Sequence, residues 1–109
     1  MLFHVTWEFH NPSEESQKRM LSLFQKWTPG PGQFQAFYGF ADGTGGVAFI
    51  EVGTTTELAK TLAPWTADLT FTTQAILPIE ESSKIDSEAL AWREVAVTGR
   101  VSPVVNYRV

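Results

Sequence analysis

Leu2 to Phe9 alternates without a break: Phe3, Val5, Trp7 and Phe9 fall on one side, and Leu2, His4, Thr6 and Glu8 on the other. A two-residue period belongs to an extended chain, so this segment is a strand buried mainly on its aromatic side. Leu69 to Leu77 repeats the pattern, with Leu69, Phe71, Thr73, Ala75 and Leu77 opposite Thr70, Thr72, Gln74 and Ile76, and Pro78 closes it. A chain with two such half-buried strands must supply other elements to cover their apolar sides.

The intervening sequence supplies them. Asn11 can cap the free N–H groups of a helix, Pro12 suits a first position that needs no donor, and Glu14 sits at the positive dipole end. The helix should run to about Trp27, with Met20, Phe24 and Trp27, joined by Leu21 and Leu23, as its buried stripe. The segment TPGPG cannot continue it. Phe34 to Phe40 and Gly46 to Val52 read as a hairpin around Ala41 to Gly45. Thr54 and Glu57 form a capping box for a short second helix with Leu58, Leu62 and Trp65 as its buried stripe, and Pro64 stops its regular part. After Pro78, IEESSK reads as a polar connector, followed by a third helix over Ser87 to about Val95, capped by Asp86 and stapled by Ile85 and Leu90. Val104 to Val109, after Gly99 and Pro103, has the composition of a short edge strand.

The order is therefore βαββαβ with a C-terminal extension. Right-handed crossovers interleave the two βαβ units into an antiparallel four-stranded sheet of order 4-1-3-2 with two helices on one face. This is an α+β, ferredoxin-like domain over residues 1–80, and residues 81–109 should dock on it or on a partner. The face without helices carries apolar side chains of its own, which predicts a homodimer joined through it.

A chain of 109 residues with eight Phe and four Trp can build one core, and has no room for a second domain. The net charge of -4 disfavours nucleic acid and anionic membranes. Cysteine is absent, which excludes disulfides, thiolate nucleophiles and Cys-based zinc sites. The amino terminus lacks a basic region followed by an apolar one, and no apolar run is long enough to span a bilayer, so the cytoplasm is the expected compartment.

Phe3 to Trp7, of the form F-x-V-T-W, Gly45 to Glu51, of the form G-G-x-A-x-x-E, and the later Ala63, Pro64 and Trp65 resemble a small bacterial family of unknown function within the dimeric α+β barrel superfamily. The resemblance covers roughly the first 80 residues and implies the fold and a dimer, with no established reaction. The wider superfamily includes cofactor-independent monooxygenases, muconolactone-type isomerases, small lyases and haem-degrading enzymes. The last place a histidine on the second helix, and Glu57 to Trp65 has none.

His4, Thr6 and Glu8 share a strand face, and sheet order 4-1-3-2 brings Glu51, Thr70, Thr72 and Gln74 from the neighbouring strands near them. A histidine beside a carboxylate can abstract a proton from a carbon acid, so His4 and Glu51 are the candidate catalytic residues. The plainer readings are that His4 and Glu8 are solvated or pair across a dimer, and that Glu51 is a strand-end carboxylate bonded to a backbone N–H or a lysine. Trp7, Phe37, Tyr38, Phe49, Trp65 and Phe71 shape either an apolar ligand pocket or simply core and interface. The pocket candidates are Thr6, Trp7, Glu8, Tyr38, Phe49, Trp65, Thr72 and Gln74. Gly43, Gly45 and Ala48 imitate a dinucleotide fingerprint but sit in a hairpin, not before a helix. No metal site is expected: only His4 and His10 are present, and His4 and Glu8 lie about 13 Å apart along a strand. No cofactor is implied. Two functions follow: a non-catalytic module that binds a small apolar ligand or a partner, and, as the alternative, an isomerase, lyase or cofactor-independent monooxygenase.

Overall fold

A computed structural model describes residues 1–99. The described residues fall into two compact units, the first over residues 1–76 and the second beginning at Leu77. The first contains β1 (Leu2–Phe9), α1 (Glu14–Lys26), β2 (Gln33–Gly39), β3 (Gly45–Glu51), α2 (Thr55–Leu62), a 3-10 turn over Ala63–Trp65 and β4 (Leu69–Ile76). The strands form one antiparallel sheet of order β2-β3-β1-β4, the expected arrangement read from its other edge. The unit is an α+β domain of the ferredoxin-like kind.

Its core lies where the alternation of β1 meets that of β3. Phe3 pairs with Ile50 and Val5 with Ala48, so all four side chains share a face, and Val52 and Leu58 complete the cluster. Ile50 is fully buried, a position worth about 1.5–3 kcal/mol relative to exposure. α2 seals this end. Thr54 caps it by accepting from the Glu57 N–H at 3.2 Å, which is one half of the expected capping box; the reciprocal bond to the Thr54 N–H is replaced by one to the residue before it. The Glu57 carboxylate accepts from the Gly53 N–H at 2.7 Å. Thr61, fully buried, donates to the Glu57 carbonyl at 2.8 Å and accepts from the Gly32 N–H at 3.1 Å, so no polar group there is orphaned. A Cβ on Gly32 would stand 2.8 Å from both Ile50 and Thr61.

Three expectations need correction. α1 is capped by Ser13, not Asn11: the Ser13 hydroxyl accepts from the Ser16 N–H and the Ser16 hydroxyl from the Ser13 N–H, both at 3.0 Å. Asn11 instead takes φ 39°, in the left-handed region that asparagine tolerates better than most residues. The α1 stripe is also narrower than its composition suggests, since Met20 is buried whereas Leu21, Leu23 and Phe24 are exposed. Finally, the helix of the second unit, α3, spans Ile79–Thr98. IEESSK is its first turns and not a connector, because Glu80 and Glu81 face the positive dipole end and Pro78 needs no donor ahead of it. Asp86 lies inside this helix. Gly99, at φ 72°, ends it by donating its N–H to the Val95 carbonyl. The edge strand expected at Val104 to Val109 falls outside the described residues. No helix among the described residues is long and apolar enough to cross a membrane.

Candidate functional site

The register of the sheet sorts the candidate residues by face. Thr6 lies beside Val47 and Thr72, His4 beside Phe49 and Gln74, Leu2 beside Glu51 and Ile76, and Tyr38 beside Val47. Paired residues share a face, so His4, Thr6, Glu8, Tyr38, Phe49, Glu51, Thr72 and Gln74 all lie on the side opposite the core. Trp7 lies on the core side, and Trp65 in the 3-10 turn belongs to the aromatic cluster there.

On the side opposite the core, the His4 ring rests against Phe49, with centroids 5.4 Å apart. The Glu51 carboxylate accepts from the Met1 amino group at 2.8 Å, and that amino group also donates to the Val52 carbonyl at 2.8 Å. Glu51 is therefore a strand-end carboxylate with a cationic partner, close to the plainer of its two readings.

The core side holds the more developed site. A bulge at Gln35 shifts the register between Phe34 and Ala36, so that Phe34 and Phe37, three residues apart, reach the same face with rings 4.8 Å apart. Phe24 of α1 and Trp27, just past its C-terminal end, join them, and Trp27 stands edge-on to Phe34 at 5.6 Å and to Trp65 at 5.3 Å. Trp7 packs edge-on to Phe37 at 5.4 Å and lies over Gly46, its partner in the sheet. A Cβ on Gly46 would collide with the Trp7 indole and the Tyr38 carbonyl. The tryptophan of F-x-V-T-W and the second glycine of G-G-x-A-x-x-E are thus two halves of one contact.

Beside this cluster, between α1 and the ends of β1 and β4, lies a cleft of about 320 Å³. Trp7, Phe9 and Leu69 form its floor, Gln17, Met20, Leu21 and Phe24 of α1 one wall, and Trp65 and Gly43 the remaining edges. None of these residues is charged. Trp65 is 8% exposed, and its indole N–H has no hydrogen-bond partner among the described residues. Of the pocket candidates read from sequence, only Trp7 and Trp65 line the cleft. Of the missed members, Phe9 lies at the end of β1, Leu69 at the start of β4 and Gly43 in the β2–β3 turn, and the others sit on α1, where one signal was available: Met20, Leu21, Leu23 and Phe24, with Trp27 just past the helix end, are more apolar residues than one narrow stripe can bury.

A smaller polar depression of about 300 Å³ lies at the start of α1, lined by His10, Asn11, Glu15, Arg19 and Asp68 among others. Arg19 is ion-paired with the buried Asp68, and His10 Nε2 bonds the Thr70 hydroxyl. The hydrogen bond to Asp68, followed by its charge, raises the Arg19 pKa above the ordinary arginine value. In the β2–β3 turn, the Thr44 hydroxyl and then its backbone N–H hold Asp42 below the ordinary aspartate value. Among the described residues no group of three or more His, Asp or Glu side chains is placed to hold a metal ion.

The fold and this cleft define a small ferredoxin-like domain with an uncharged aromatic site under its first helix. Residues 1–90 match the family described as domain of unknown function (DUF3303), and the chain belongs to that family. The match extends into α3, beyond the roughly 80 residues covered by the sequence resemblance. No curated protein matches the chain.

Proposed function

We propose that this domain is a non-catalytic binding module that holds a small, uncharged apolar or aromatic molecule in the cleft under α1. The observation that carries the reading is the lining: Trp7, Phe24 and Trp65 present rings to a space at the small end of the range of ligand sites, about 300–1,000 Å³, without a charged side chain. Binding is favoured over catalysis because His4 and Glu51, the candidate proton-transfer residues, lie across the sheet from it. We further propose that the domain works as a homodimer of the dimeric α+β barrel type. Leu2, Val47, Phe49 and Ile76 on the face opposite the core, with Tyr38 67% exposed, support that assembly.

A neutral apolar fluorophore, N-phenyl-1-naphthylamine, tests the cleft. It should bind with one site per chain, and Leu21→Arg, at an exposed position on the cleft wall, should weaken it at least tenfold without changing the melting temperature. Unaltered affinity in that variant removes the cleft as the site. Sedimentation tests the assembly: a species of 12.1 kDa alone at micromolar concentration rules out the dimer.

A further inference from the structure

We propose that α3 is a self-association element, which pairs antiparallel with α3 of a second copy of the chain along the stripe Ser82, Ile85, Ala89, Trp92 and Ala96. The pairing lies on the second unit, and it adds a contact to the sheet-face dimer proposed above without depending on it.

α3 has 20 residues, and none of them is buried. A helix in water draws most of its stability from packing an apolar face, so one of this length with no buried residue calls for a partner. Ser82, Ile85, Ala89, Trp92 and Ala96 recur at alternating intervals of three and four, which places them on one side of the helix as the seam of a coiled coil. Ile85 is 49% and Trp92 45% exposed. Ile79, Leu90 and Val97 lie along another side, where Ser83 and Asp86 interrupt them, and they make no continuous seam.

The sizes along the seam select the partner. A second α3 running antiparallel, with Ala89 of one copy opposite Trp92 of the other, also sets Ile85 opposite Ala96, so each of these layers joins a large side chain to a small one. A parallel pair would set Trp92 on Trp92 and leave Ala89 facing Ala89 across a gap. Charge agrees with the antiparallel register. Asp86 and Arg93 flank the seam on the same side, and reversing the direction brings Asp86 of each copy to Arg93 of the other, giving two ion pairs related by the two-fold axis. Neither residue has an ion-pair partner of its own among the described residues.

The chain has no cysteine, so introduced thiols report the register directly. Under mild oxidation, Ile85→Cys combined with Ala96→Cys should give a disulfide-linked dimer. Ile85→Cys alone should not, because the antiparallel register separates the two copies of residue 85 by about 16 Å along the axis. Residues 85 and 96 of one copy are equally far apart, which excludes a bridge within a chain. Asp86→Arg turns two attractive pairs into repulsive ones and should weaken the dimer about tenfold in sedimentation at low salt, and adding Arg93→Asp should restore it. Cross-linking of Ile85→Cys alone shows a parallel pair and overturns the inference. A dimer in which the double-cysteine variant forms no bridge overturns it too, as does a dimer indifferent to Asp86→Arg, and both leave the sheet-face reading standing. Tyr38→Arg, at an exposed position on the sheet face, separates the two contacts and should leave the double-cysteine bridge in place. Loss of the bridge in that variant assigns the association to the sheet and overturns the α3 pairing. A species of 12.1 kDa alone at micromolar concentration overturns both readings.

Discussion

The two ends of the helix layer solve the same packing problem differently. Under α2 the sheet is sealed: Ile50 and Thr61 are fully buried, Leu58 nearly so, and Gly32 leaves no space for a methyl group. Under α1 it is open, with Met20 buried while Leu21 and Phe24 remain exposed beside a cleft of about 320 Å³. Side-chain shape accounts for the difference. Branched aliphatic groups interdigitate to crystal-like density, whereas rings that meet edge to face at 5–6 Å leave gaps at their corners. The sealed end carries stability, and the open end has room for an occupant.

The largest expected effect tests that contrast directly. Ile50→Ala should destabilise the protein by about 3–4 kcal/mol, because the surrounding structure cannot collapse into the space. Met20→Ala removes a buried side chain of similar size next to a void already present, and should cost nearer about 2 kcal/mol. Urea denaturation of both variants measures the gap, and equal losses would mean that the two ends are packed alike.

Next in size, Gly46→Ala should cost about 1–3 kcal/mol, since the added methyl collides with the Trp7 ring and the Tyr38 carbonyl. Combining it with Trp7→Leu should recover part of that loss, a non-additivity expected of residues in contact. Simple addition of the two single effects would separate the paired motifs that the contact joins.

A smaller effect concerns the pair that ties α1 to the segment before β4. Arg19→Met leaves the buried Asp68 without its cation and should lower the melting temperature, whereas adding Asp68→Asn should restore much of it. Because the folded pKa of Arg19 is raised, its contribution is complete below the ordinary arginine value and is lost only as pH climbs beyond it. The pair therefore holds α1 unchanged through the neutral range, and a melting temperature of the Arg19→Met variant equal to that of the parent would remove this tie.

The smallest effect lies in the β2–β3 turn. Asp42 has a depressed pKa in the folded protein, so its contribution is present above the unfolded aspartate value and fades as pH falls through the folded one. Asp42→Asn should flatten the acid limb of stability slightly and leave the neutral range alone. A carboxyl ¹³C titration that gives an ordinary value would refute the depression.

The alternation of Leu2 to Phe9 was enough to place β1, its buried face and, with β4 and the hairpin, the sheet order, because each step depends on local period and on the handedness of crossovers. The Thr54 cap was legible for the same reason, being a contact between residues three apart. The S-x-x-S box that starts α1 is equally local, yet an Asn-Pro pair just ahead of it offered a competing start, and the choice fell to the left-handed turn at Asn11. IEESSK misled because polarity alone does not distinguish a connector from the exposed first turns of a helix.

The candidate site was legible only in part. Trp7 and Trp65 were named from sequence, but the remaining pocket candidates followed the polar face of β1, and the cleft lies on the other side. Sequence by itself determined the strands, the helices, their order and the presence of surplus aromatic residues, since all of these depend on residues near one another along the chain. Tertiary structure decided which face gathers those rings, that the bulge at Gln35 turns Phe34 and Phe37 the same way, and that the Trp65 N–H is buried with no partner among the described residues. Those outcomes depend on close packing between residues far apart in sequence, where a ring either fills the space or leaves it, and no local pattern records which.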